Sequence, residues 1–228
     1  GTPPGSDANW RNQHVLVDGH YDHVGVGRPV NGDSIYNGAD DDASGVVAPL
    51  FIARAMRQGK APRRSVLFAA MTGEELGLTG ARWYADHPVR PLSEMVANLE
   101  IEMIGRPDSL SGGSDKGWLT GYERSTMGDA LAAAGIPLVA DPRPAQNFFQ
   151  RSDNYALALR GVVAHTLSSF NLHADYHQPS DDVSKADPVH MAEVIRAAAR
   201  AVRLLADGPK PEWKPGMKPA PPTPRPAP

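Results

Sequence analysis

Short apolar runs and helical periodicities alternate along this chain. The runs "HVLVD" (14–18), "RSVLFAAM" (64–71), "VANLEIEMIG" (96–105) and "GVVAHTLS" (161–168) are rich in Val, Leu and Ile and read as mostly buried strands. Helical spacing falls between them. Residues 44–58 place apolar side chains at 47, 50, 51 and 55; Ser125 can cap a helix over 127–134 that stops at Gly135; Asp187 and Pro188 open a long final helix. Pro49, inside the first of these, predicts a late start or a kink. The alternation predicts an α/β fold, a three-layer sandwich with a mostly parallel mixed sheet and helices on both faces. Ligand sites in such sheets gather beyond the carboxyl ends of the strands.

Composition changes this picture at one end only. Residues 208–228, "GPKPEWKPGMKPAPPTPRPAP", are dense in proline and predict an extended, polyproline-like or disordered tail, leaving 1–207 as one domain. The net charge of -3, with no long Lys/Arg block, gives no electrostatic footprint for nucleic acid, and no apolar run approaches the length of a membrane span. The chain has no cysteine, so a bound metal must be held by His, Asp and Glu. That composition and the proline-rich tail fit a periplasmic or extracellular protein, while oligomeric state is not legible.

The ends of the four strand-like runs carry the chemistry. His20 and Asp22 follow the first, Glu74 and Glu75 the second, Glu102 lies at the end of the third, and His177 sits in the loop after the fourth. Two divalent ions side by side need a bridging carboxylate plus an imidazole and a carboxylate for each, an oxygen–nitrogen set that suits zinc. The chain holds that inventory.

The pieces "GHYDHVG", "YNGADDDASG", "TGEELGLTGAR", "NLEIEMIGRPD", "RSDNYALALRGV" and "HADYHQPSDD" stand in the order of the M28 zinc peptidases, which include bacterial aminopeptidases of the leucyl type. The resemblance spans residues 14–206. It implies two zinc ions per chain and peptide substrates. By it, His20 and Glu102 hold one ion, Glu75 and His177 the other, and Asp41 bridges them. Asp22 orients His20 from behind, and Glu74 is the general base rather than a ligand. A one-zinc glutaminyl cyclase and a metal-free binding module are the alternatives on the same scaffold.

Several neighbours are expected to do less. His23 faces away from His20 if the chain there is extended. Asp40 and Asp42 bond loop backbone or cap the next helix, His173 forms pocket wall, and Glu100 competes with Glu102 from deeper in the strand. His14, His87, His165 and His190 read as surface or core. Two departures from the family stand out: Glu102 where better-known members have Asp, and Ser152-Asp153-Asn154 where many have Ser-Asp-His, the latter bearing on specificity. The chain also starts almost directly at the strand before His20, without the upstream helix and strand that relatives carry. The acids at the centre favour an ammonium group, hence an aminopeptidase, with "NFF" (147–149) and Leu172 as an apolar wall. Arg106, Arg124 and Arg151 are the arginines nearest the motifs for recognition of a terminal carboxylate.

Overall fold

In β1 (His14–Asp18) every residue is buried, as expected of a strand covered on both faces. Val15 and Val17 join a core with Ala48, Ile52, Val194 and Ala198, whereas Leu16 joins Tyr84, Ala85, Leu157 and Ala158 on the other face. This period-two split divides the helices into two layers. α1 (Gly45–Gln58) and α5 (Pro188–Asp207) cover one face; α2 (Thr79–Asp86) and α4 (Asn154–Ala158) cover the other.

The computed structural model describes residues 5–220. Its main sheet contains β4 (Ser65–Phe68), β1, β5 (Met95–Ile101), β8 (Ala164–Ser168), β6 (Gly117–Leu119) and β7 (Leu138–Ala140), in that spatial order. β4, β1, β5 and β8 run parallel, β6 is antiparallel to β8, and β7 is parallel to β6. The mixed, mostly parallel sheet and three layers are those expected. Four parallel strands therefore deliver their carboxyl ends to one edge.

Local signals place several helix ends. Ser125 Oγ accepts from Met127 N (3.2 Å) at the start of α3 (Thr126–Ala133), and Asp187 Oδ1 accepts from Val189 N and His190 N at the start of α5. Pro49 does not delay α1, which begins at Gly45 with Pro49 inside it. The irregular backbone lies upstream, at Asp41 and Asp42. The antiparallel hairpin of β2 (Gly25–Val30) and β3 (Asp33–Tyr36) has no counterpart in the sequence expectation. Its side chains are largely exposed, so no strong apolar alternation marks it.

The expectation of a disordered tail from 208 is corrected for residues 208–220; residues 221–228 lie outside the described part. Trp213 bridges Ser125, Glu212 accepts from Thr126 N (2.9 Å), and Lys214 N donates to Arg124 O (2.8 Å). Trp213 Nε1 donates to Gly161 O (3.1 Å), and the indole packs against Phe149 and His165. Prolines forbid a continuous ladder, but the three residues between Pro211 and Pro215 keep their amides and one brings a large apolar ring. No helix of the described residues is long and apolar enough to cross a membrane.

The half-buried indole contributes to stability without touching the strand-end cluster. Trp213→Ala should lower unfolding free energy by about 2 kcal/mol, below the range for fully buried large-to-small changes. Urea denaturation checks this, and an unchanged midpoint would show the segment to be energetically idle.

Candidate metal centre

Beyond β1 the chain stays close to the extension of β4 through a parallel bridge between His20 and Met71. His20 is fully buried there. Its Nδ1 lies 3.0 Å from the Asp22 carbonyl oxygen, so a proton on Nδ1 leaves the Nε2 lone pair facing Asp41 Oδ1 at 3.3 Å. The carbonyl of Asp22, rather than its carboxylate (3.8 Å), thus sets the ring. The carboxylate instead accepts from Glu74 N (3.3 Å) and positions that residue.

The acidic loop between β3 and α1 is held by buried amides. Asp42 Oδ1 accepts from Met103 N (2.9 Å) and Gly45 N (3.0 Å), and its Oδ2 accepts from His20 N (3.2 Å). Asp40 Oδ1 accepts from Gly105 N (2.7 Å), while Asp40 Oδ2 meets His173 Nε2 (2.8 Å). Asp40 and Asp42 are therefore structural anchors, as expected, and His173 braces this loop instead of lining the cleft. Asp181, which sequence reasoning missed, accepts from both Asp40 N (2.9 Å) and Asp41 N (3.1 Å) through Oδ2 and from Arg106 through Oδ1 (3.0 Å). Only Asp41, with no such duty for its carboxylate, faces the centre with both oxygens.

Asp41 Oδ1 belongs with His20 and Glu102, and Asp41 Oδ2 faces the group of His23, Glu75 and His177. His177 Nε2 lies 3.1 Å from Asp41 Oδ2 and 3.1 Å from Glu75 Oε2; His23 Nδ1 lies 2.9 Å from Glu75 Oε1 and 3.7 Å from Asp41 Oδ2. The expectation that His23 faces away is thus corrected. Residues 21–24 belong to no strand and lie between the His20–Met71 bridge and β2, so strict strand alternation does not carry across them. A Cβ on Gly38 (φ 65°) would come within 2.6 Å of the His23 ring, so that glycine makes room for it.

These contacts are close, yet His20 Nε2, both His23 ring nitrogens, Glu75 Oε1 and His177 Nε2 are buried without a hydrogen-bond partner. Unpaired buried polar atoms of this kind cost free energy. Atoms converging on common points, without bonding one another, fit cations held between them. Three imidazoles with carboxylates form an oxygen–nitrogen donor set compatible with zinc.

Electrostatics agree. Despite burial, which opposes charge, Asp42, Asp41 and Glu102 raise the His20 imidazole to about 12. Asp41 and Glu75 raise His177 to about 9. Burial, then the Glu102 carboxylate, pushes Glu74 up to about 10, and burial with Glu100 pushes Glu102 to about 8. Protons gather where negative charge is concentrated, and a bound cation must displace them.

Glu100 does not compete with Glu102. It is buried in β5, where Oε2 accepts from Thr166 Oγ1 (2.6 Å) and Asn154 N (3.2 Å) and Oε1 accepts from Ser152 Oγ. Asn154 is likewise buried within this network, away from the cleft, so the Ser-Asp-Asn departure alters core polarity more than the substrate wall. The cleft beside the centre is lined by Asp41, Glu74 and Glu102 together with Trp118, Phe148, Phe170 and Tyr176. Phe148 supplies wall as expected; Phe149 turns into the core and Leu172 lies outside the lining. His14, His165 and His190 are buried and His87 is exposed.

Residues 2–202 match the family model described as Peptidase family M28. This chain belongs to that family. It is 31% identical over 196 residues to a vacuolar membrane protease of Aspergillus clavatus, covering 85% of this chain and 19% of that protein. The structure resembles a zinc aminopeptidase from Bacillus subtilis (TM-score 0.67, 18% identity, 88% of this chain and 48% of the other). It also resembles Porphyromonas gingivalis glutaminyl cyclase (TM-score 0.63, 16% identity, 84% and 73%). The M28 chain thus spans about a fifth of that curated relative and about half of the aminopeptidase.

His23→Ala should weaken zinc uptake by about tenfold or more, the scale on which even outer partners of metal ligands act. Competition with a chelating dye checks this. Unchanged affinity would remove His23 from the centre.

Proposed function

We propose that this M28 domain is a two-zinc aminopeptidase, hydrolysing N-terminal residues from peptides. The observation that carries the reading is Asp41, whose two oxygens face two separate imidazole–carboxylate groups, with Glu74 in the same cleft outside both. His20 and Glu102 would hold one cation with Asp41, and Glu75, His177 and His23 would hold the other. When bound, zinc supplies Lewis acidity toward the scissile carbonyl and the attacking water. Two groups rather than one favour this over a one-zinc cyclase, and an intact donor set favours it over a metal-free binding module.

The chain's own residues divide the remaining work. Asp22 anchors the Glu74 backbone, so the Glu74 carboxyl is held at the cleft. There it accepts the proton of the attacking water and returns it to the leaving amine. The acids of the centre pair with a free α-ammonium, while Trp118, Phe148 and Phe170 exclude water around the first side chain.

Zinc-loaded protein should hydrolyse a leucyl amide and show little activity on its N-acetylated form, because acetylation removes the positive charge. Equal rates, or a preference for the blocked peptide with release of a C-terminal residue, would overturn the aminopeptidase polarity. Glu74→Gln should retain zinc while losing roughly two to four orders of magnitude in kcat, the range for general acid–base catalysis. Near-normal turnover by Glu74→Gln would remove the base from this account.

A further inference from the structure

One cation in the cleft has no role in the centre just described. Arg106 is spent on Asp175 (2.7 Å) and Asp181 (3.0 Å), and Arg124 lies over Phe149 and reaches the Met217 carbonyl. Arg151 alone of the Lys and Arg among the described residues lines the cleft that holds Asp41, Glu74 and Glu102. Its guanidinium carbon stands 5.0 Å over the Phe148 ring. Phe148 is itself stacked on Trp118 (5.2 Å) and meets Phe170 edge-on (5.8 Å), and its carbonyl accepts from Arg151 N (2.9 Å).

This platform holds the side chain over an aromatic face without consuming its N–H groups. Arg151 is exposed and, among the described residues, no carboxylate lies within ion-pair distance of it, whereas the half-buried Arg90, Arg106, Arg143 and Arg203 each have one. The group also acts on the cleft interior. Burial, Asp41 and Glu102 push the Tyr176 phenol up, and the Arg151 charge opposes that rise.

We propose that Arg151 is a specificity-determining residue that binds a carboxylate of the substrate, giving the cleft an acidic end at the metal centre and a cationic end at Phe148. The inference rests on the peptidase reading and names the substrate class: peptides with a carboxylate near the scissile bond. That carboxylate is the C-terminus of a very short peptide or the side chain of an acidic first residue. Both present a planar pair of oxygens that a guanidinium fork matches. The side chain is exposed on its outer face, so solvent screening keeps the gain at the low end for charged hydrogen bonds, about tenfold in affinity.

The test measures calorimetric binding to the zinc-loaded, full 228-residue chain carrying Glu74→Gln, so that affinity is read independently of hydrolysis. Three ligands separate the sources: leucyl-glycine, leucyl-glycine amide and glutamyl-glycine amide. One carboxylate ligand should bind about tenfold more tightly than leucyl-glycine amide. Its advantage should vanish when Arg151→Met is added, return in part with Arg151→Lys, and shrink with rising salt. A preference for leucyl-glycine assigns the C-terminal carboxylate, and one for glutamyl-glycine amide assigns the side chain. Equal affinities for all three, or a preference that survives Arg151→Met in protein with unchanged zinc content, would overturn the proposal. Failure of the peptidase reading would appear separately, as absent hydrolysis of leucyl amide by the zinc-loaded parent.

Discussion

Several buried or half-buried carboxylates at one sheet edge repel one another, and the contacts around them make that tolerable. Asp41, Glu74, Glu75 and Glu102 meet at the ends of parallel strands, with Glu100 close behind. In a low-dielectric setting, charges of one sign at contact distance cannot all stay ionised without a counter-charge. The raised protonation of His20, His177, Glu74 and Glu102 is the protein's own partial answer. A bound cation would complete it, since it would replace protons and satisfy the orphaned ring nitrogens.

That constraint dictates how the acidic loop is built. Asp40 and Asp42 spend their carboxylates on buried amides from β5's exit and on the start of α1, tying the loop to the sheet. Asp181 reaches from the far end of the chain to hold the amides of Asp40 and Asp41, and Arg106 joins it to Asp175 in the loop that carries His177. The loops that carry Asp41 and His177, distant in sequence, are thereby locked to one frame. A metal site needs this, since ligands must be held near productive geometry by their supporting partners.

Rigidity at the centre contrasts with the irregularity that surrounds it. The backbone leaves ordinary helical or strand geometry at Asp41 and Asp42, and His177 itself has a positive φ of 53°. The positive φ of His177 is a conformation that persists where neighbours hold it, and the acidic loop opposite is fixed by acceptors for the amides of Asp40 and Asp41. The aromatic wall follows the same logic. Phe148, Trp118 and Phe170 pack on one another and form one wall of the cleft.

The sequence by itself determined the layers of the fold and named most of the residues that the structure brings together at the candidate centre. Buried strands and capped helices are local signals: Val15-Leu16-Val17, the Ser125 cap and the Asp187-Pro188 start are written in adjacent positions. The M28 motifs likewise bring their own residue types to strand ends, so His20, Asp41, Glu75, Glu102 and His177 were legible as one set. Tertiary structure decided what depends on chain direction between elements. His23 enters the centre because strand pairing stops after the His20–Met71 bridge, and strand alternation does not carry across the irregular segment that follows. Asp181 and Arg106 gain their roles from contacts across more than seventy residues. Trp213 orders a proline-rich stretch because a groove beside Ser125 and Gly161 accepts it. Arg151 rather than Arg106 or Arg124 faces the cleft for a similar reason. A side chain's partners are set by the packing of distant segments, and the order of residues along the chain carries that information only through the folded whole.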